Sequence, residues 1–217
     1  MKKILLILFC ICINYTNAQT IIDFDESTLG LNSQYYYMKD INNYLDQFEG
    51  TWKYINGNSE IELVFKKKTF TDHPNPSMTV MQDELVGEYR YVKNGVEVLN
   101  TLQNINNNHS TSVEYHFYGS SRTSNDRGTI PCYMCTVPNQ RLWVYYEEDE
   151  PTNDNECLYG SVLIHTFVEN GQTKLFFSIR KRLKEGFSCV KKSDDTQSAT
   201  DFDLEIADGE YIFVKVP

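Results

Sequence analysis

No apolar stretch in this 217-residue chain approaches the roughly 20 residues that a membrane-spanning helix needs; the longest covers only residues 4–13. Basic residues are scarce, with 20 Lys and Arg against 30 Asp and Glu, for a formal charge of −10. The charge therefore disfavours nucleic acid and anionic membranes as partners, since both need a basic face. Only 11 Gly and 6 Pro are present, which excludes collagen-like and Gly/Pro-rich low-complexity chains. There is no internal repeat, no Gly-x-Ser-x-Gly elbow, no phosphate-cradling glycine loop and no His-Glu-x-x-His. The four His are scattered, and no two stand at metal-ligand spacing. These gaps leave no residue to nominate as catalytic and no cofactor to assign.

What is present begins with a targeting pattern. Lys2 and Lys3 precede the apolar stretch, which gives way to polar residues 14–17 and then Ala18. A short basic start, a ten-residue apolar core and a small residue at its end read as a secretory signal peptide cut after Ala18. Export to the periplasm or outside the cell follows. Cys10 and Cys12 raise a lipoprotein anchor as the rival reading, but bulky Phe9 and Ile11 precede them where a lipidation signal wants a small residue. Beyond the signal lie an N-terminal extension over residues 19–34 and one domain over residues 35–217. The four remaining cysteines, Cys132, Cys135, Cys157 and Cys189, read first as two disulfides, with three pairings open.

At the start of the domain Ile41, Tyr44, Leu45 and Phe48 fall on one helical face, with Asp40 as cap and Gly50 as terminator. The spacing predicts a short helix. After Gly50 the period changes to two. Asn56-Gly57, Asn94-Gly95, Asn170-Gly171 and Asp208-Gly209 are hairpin dipeptides between runs of β-branched and aromatic residues. A turn at Asn56-Gly57 sets Trp52 opposite Ile61 and Lys53 opposite Glu60. A turn at Asn170-Gly171 puts Val162, Ile164 and Val168 on one face with Leu175, Phe177 and Ile179. Tyr89 and Tyr91 share a face with Val98 and Leu102, and a fourth hairpin brings Phe202, Leu204 and Ile206 beside Tyr211 and Phe213. Further strands are expected at 112–118 and 141–147. About eight to ten antiparallel strands in one domain must bury one face and protect their edges, which gives an all-β class, a barrel or a sandwich.

The run Phe48-Glu49-Gly50-Thr51-Trp52-Lys53, placed after the short helix, resembles the Gly-x-Trp motif of the lipocalin and fatty-acid-binding superfamily, the calycins. More widely, Asp40 to Leu45 continuing to Gly50 to Tyr54 is similar to small exported flavobacterial proteins with a lipocalin-like domain of unknown function. Asp83 to Tyr89 and Phe213-Val214-Lys215-Val216 fit the same pattern, so the likeness covers residues 35–217. The resemblance implies an up-and-down barrel, with Trp52 sealing one end and Lys215 lying across its ring. It assigns no catalytic residue.

Cys132-Tyr133-Met134-Cys135 is the most pointed constellation. A structural disulfide, part of a zinc site and a redox pair are its three readings. The first is favoured by export and by the absence of a helical pattern after the motif. Cys157 and Cys189 lie near the open end of the hairpin turning at Asn170-Gly171, so they are expected to bond to each other. Glu147 to Glu150 reads as a solvated hairpin end rather than a calcium loop. The 15 Tyr and 12 Phe either line a ligand cavity or fill a barrel core. The function expected is binding of a small apolar or amphipathic molecule in the barrel, without catalysis. The alternatives are a protein-interaction module working through loops or an exposed strand, and then a barrel enzyme. The oligomeric state is left open.

Overall fold

The computed structural model describes residues 19–24, 26, 35–75, 78–124, 132, 134–135, 140–147, 158–183 and 206–217. Among them eleven strands form one continuous sheet. They are β1 (Thr20–Asp23), β2 (Tyr35–Lys39), β3 (Gly50–Asn56), β4 (Ser59–Asn75), β5 (Met78–Lys93), β6 (Val96–Asn100), β7 (Phe117–Thr123), β8 (Arg141–Tyr146), β9 (Leu158–Glu169), β10 (Gln172–Leu183) and β11 (Gly209–Lys215). Eight of them, β3, β4, β5, β7, β8, β9, β10 and β11, pair antiparallel in chain order. β11 returns to β3 and β7 reaches β5, so the ring closes. The result is an up-and-down barrel, and closure removes the free edges an open sheet would leave. β5 is long enough to serve three partners along its second edge: β2 in parallel, then β7, then β6. β1 pairs in parallel with β2, so residues 20–23 of the N-terminal extension join the sheet.

Two hairpins turn where the dipeptides stand. Asn94 and Gly95 have φ of 53° and 80°, and Asn170 and Gly171 have 53° and 74°. Both central residues positive is the type I′ pattern, whose twist matches the strands. The first hairpin differs. Asn56 pairs with Ser59, so the turn is Gly57-Asn58, and of these only Gly57 has a positive φ. Glycine alone at the first central position fits a type II′ turn. The register therefore moves by two: Trp52 faces Leu63, Tyr54 faces Ile61 and Lys53 faces Glu62. A shift of two keeps every side chain on its face, and Lys53 Nζ still reaches Glu60 at 3.1 Å and Glu62 at 3.2 Å.

Other expectations need correction. The N-terminal helix is one 3₁₀ turn, Leu45–Phe48; Leu45 and Phe48 are buried, but Ile41 is exposed. Its start is held differently from a one-residue cap: the Asp40 carboxylate accepts the amides of Tyr44 at 2.7 Å and Leu45 at 2.9 Å. A bulge between Tyr91 and Val92 sets Leu99, not Val98, beside Tyr91, and Leu102 opens a 3₁₀ turn. Residues 112–114 are 3₁₀, and β7 starts only at Phe117. Val168 faces solvent at the hairpin tip. Gly209 has no positive φ and opens β11, so Asp208-Gly209 is not a tight turn; residues 202–205 lie outside the described set. So do residues 1–18, which carry the signal peptide, together with Cys157 and Cys189.

Alternation sorts the strands. Phe65, Leu85, Tyr89, Phe117, Val144, Tyr146, Ile164, Phe177 and Phe213 point inward into one apolar cluster that also holds Trp52 and Phe48.

Candidate functional site

Among the described residues, those facing the lumen leave no room at its centre. Trp52, Leu63, Tyr89, Phe117, Tyr146, Phe177 and Phe213 are all 0% exposed. Phe117 stacks on Tyr146 at 4.7 Å, and Tyr89 meets both rings edge-on. The only polar pair in this stack satisfies itself, the Tyr89 and Tyr146 hydroxyls lying 2.7 Å apart. Close packing of this kind serves as core and not as a cavity.

One end of the barrel carries the residues that the Gly-x-Trp resemblance singles out. The Trp52 indole N–H donates to the Phe48 carbonyl at 2.8 Å. Lys215 pairs with Trp52 across β11 and β3, and its Nζ stands 5.1 Å from the ring centroid. Gly50 has φ +113°, and a Cβ there would come within 3.2 Å of Lys215 Cε, so a side chain would both strain the backbone and displace the lysine. The 3₁₀ turn is tied over this end. Tyr44 Oη donates to the Gln140 carbonyl at 2.7 Å, and Thr166 Oγ1 donates to Gln47 Oε1 at 2.7 Å.

Outside, the barrel is partly clothed. The segment between β6 and β7 lies on the outer face of β5. Ile105 and Tyr115 pack there with Val86 and Phe70. The buried Glu88 carboxylate accepts the Asn104 side-chain amide at 2.6 Å and pairs with His116 Nδ1 at 2.6 Å. Thr111-x-x-Glu114 caps the last 3₁₀ turn, the Glu114 carboxylate accepting the amides of Ser110 and Thr111 at 3.1 Å. Hydrogen bonds from Ser110 and Thr111 hold that carboxyl below the usual carboxylate range.

Beside this segment opens a cleft of about 350 Å³ between β5, β7 and β8. Outward side chains line it: Gln82 and Glu84 of β5, Tyr118 and Ser120 of β7, and Trp143 and Tyr145 of β8; Ser112 comes from the 3₁₀ segment. Gly119 is required here by packing, because a Cβ would sit 2.6 Å from the Trp143 carbonyl oxygen. That close approach accompanies the irregular register between Tyr118 and Ser121. Tyr118 stacks on Tyr145 at 5.5 Å, and Trp143 meets Tyr145 at 60°. Burial and the neighbouring Glu147, which accepts the Tyr118 hydroxyl at 2.8 Å, push the Tyr118 phenol well above its ordinary value. Burial also pushes the Glu84 carboxyl up, with Asp72 adding and the Ser112 hydrogen bond opposing. Aromatic faces next to a carboxyl, an amide and hydroxyls suit a molecule with one apolar face and a polar edge.

Of the cysteines, Cys132 and Cys135 form a disulfide with Cα atoms 5.5 Å apart. Sequence reasoning gave none of the cleft residues a role. The Ser/Thr-x-x-Glu signature at Thr111 was a usable signal that residues 112–114 are not strand. The alternation of Trp143 and Tyr145 was a usable signal that both point outward.

The fold and these surfaces define an all-β closed barrel with a filled lumen and an aromatic cleft on its outer wall. The chain belongs to the family of unknown function DUF6705, whose model matches residues 1–216. Comparison with curated proteins yields no match, and comparison with solved structures likewise yields none.

Proposed function

We propose that this protein is an exported, lipocalin-like binding module that takes a small amphipathic molecule in the outer cleft rather than in the lumen. The filled lumen carries the reading: seven large side chains with no exposure occupy the space a lipocalin-type ligand would need. Trp52 beneath Lys215 at the barrel end supports the lipocalin-like build, and the Lys2-Lys3 to Ala18 pattern supports export. In the cleft, the rings of Tyr118, Trp143 and Tyr145 offer apolar contact, while Glu84, Gln82 and Ser112 offer hydrogen bonds. Binding needs no catalytic group.

The test uses the neutral amphipathic fluorophore N-phenyl-1-naphthylamine. Trp52 and Trp143 are the only two indoles, and only Trp143 lines the cleft. Saturable binding of one probe should quench Trp143, and Trp143→Ala should weaken binding about tenfold or more, the loss of one ring contact. Unchanged binding by Trp143→Ala and Tyr118→Ala proteins would place the probe elsewhere and reject the cleft. The second reading, a protein-interaction module, is favoured by β6. Among the described strands it pairs with β5 alone, and it exposes Val96 and Val98. It predicts that Val98→Lys abolishes capture of a host protein partner while leaving probe binding intact.

A further inference from the structure

The outer face of β9 carries a second constellation. His165 is fully buried there and stacks on Phe176 at 5.0 Å, which fixes its ring. Its Nδ1 lies 3.8 Å from Cys132 Sγ, and ligand atoms of Cys132, Cys135 and His165 all fall within 4.8 Å of one another. Zinc bonds thiolate at ~2.3 Å and imidazole at ~2.0–2.1 Å, so a tetrahedral site sets sulfur and nitrogen about 3.6 Å apart. The observed spacing is close to that edge. Between the cysteines, Met134 has φ +58°, an unusual conformation for a residue with a side chain. Such outliers cluster where a loop's geometry is imposed by a site.

We infer that Cys132, Cys135 and His165 form a redox-gated site for a soft divalent cation of the zinc class. In the disulfide form the sulfurs have no thiolate charge and the site is closed. A dithiol reductant donates two electrons and two protons, breaking the S–S bond to give two thiols while becoming a disulfide itself. The cation then displaces the two thiol protons to solvent and bonds both thiolates, and His165 adds a neutral nitrogen donor. Three protein ligands leave a fourth position for water or another side chain, the pattern of an open site. The motif departs from a redox-catalytic Cys-x-x-Cys in having a third ligating group aimed at its sulfurs.

The test uses the full chain with Cys10, Cys12, Cys157 and Cys189 replaced by Ser, leaving one sulfur pair, beside the unaltered chain. After reduction, one equivalent of Co²⁺ should give thiolate-to-cobalt charge-transfer absorption with the strong visible bands of tetrahedral cobalt. The oxidised protein should give neither. His165→Gln should weaken cobalt binding at least about 100-fold, since even outer-shell changes cost 10–100-fold, with the far-ultraviolet circular dichroism unchanged. X-ray absorption of the reduced, zinc-loaded, unaltered chain should show two sulfur and at least one nitrogen neighbours, a readout that no folding defect in a variant can imitate. No charge-transfer band in the reduced protein, equal affinity for His165→Gln, or a sulfur-free zinc shell would each overturn the site.

Discussion

Replacing Trp52 with alanine tests whether the Gly-x-Trp end holds the barrel shut. The indole is fully buried among Phe48 and the barrel core, and its N–H is bonded to the Phe48 carbonyl at 2.8 Å. Truncating an aromatic ring in such a place costs about 3–5 kcal/mol. Leaving the Phe48 carbonyl without its donor adds about 1 kcal/mol. Lys215, itself half-buried, lies over the same ring, where a cation–π contact is worth about 0.5–1 kcal/mol. With a urea slope of about 2 kcal/mol per molar, Trp52→Ala should lower the unfolding midpoint by about 2 M or more and Lys215→Ala by no more than about 0.5 M. Lys215→Arg should match wild type, because Arg keeps the charge over the ring. The two sites should also couple: in a Trp52→Ala background, Lys215→Ala should have almost no further effect. Far-ultraviolet circular dichroism in urea is the assay, since removing Trp52 alters the fluorescence signal itself. A Trp52→Ala midpoint within about 0.5 M of wild type would refute the reasoning, and so would a Lys215→Ala effect that is undiminished without the ring.

Two further expectations concern the cleft and the lumen. Glu84 has a raised folded pKa, caused first by burial, so its protonated form is favoured in the folded protein. The stability it contributes is complete below its unfolded value and is lost as pH rises through the raised folded value. Glu84→Gln should therefore be more stable than wild type at neutral pH, with the gap closing below about pH 4; thermal midpoints across pH check this, and a gap persisting in acid would contradict it. Tyr146→Phe removes one hydroxyl of the buried 2.7 Å pair, for a loss of about 1–2 kcal/mol by urea unfolding. An unchanged stability would mean that the two hydroxyls do not depend on each other.

How far the sequence was legible depends on the range of the physics involved. Strand alternation and hairpin chemistry are local, so the faces of β3, β4, β9 and β10 and the turns at Asn94-Gly95 and Asn170-Gly171 were readable. The Asn56 turn misled by two residues because Asn-Gly and Gly-Asn both satisfy a two-residue hairpin, and only φ at Asn56 distinguishes them. The helix shortens to one 3₁₀ turn, Leu45–Phe48, so that Asp40 stands ahead of it and not at its cap position. Asp40 spends both carboxylate oxygens on the amides of Tyr44 and Leu45, and Lys67 Nζ also reaches it, at 3.3 Å. The candidate cleft was the least legible part. Its residues come from β5, β7, β8 and the 3₁₀ segment, and alternation says only that such residues point outward, not which outward faces another segment covers.

That cover is what joins the filled lumen to the proposed site. An eight-stranded barrel is narrow enough for its own side chains to fill, and the rings of Phe65, Tyr89, Phe117, Tyr146, Phe177 and Phe213 do so here. On the proposed reading, recognition uses the outer wall, where a bare sheet offers no concavity. The segment between β6 and β7 supplies one. It is fastened to β5 by polar contacts, the buried Glu88 holding Asn104 and His116 at once. Lys68 closes the other side, donating to the Tyr115 hydroxyl at 2.6 Å. A buried polar group of this kind penalises any arrangement that leaves Glu88 without both partners. The contacts thus fix where the segment lies, and with it where Ser112 stands against Glu84 at the cleft. If the cleft binds as proposed, the barrel supplies the frame and the outer segment the shape, so substitutions in residues 101–116 are where ligand preference would change without disturbing the core.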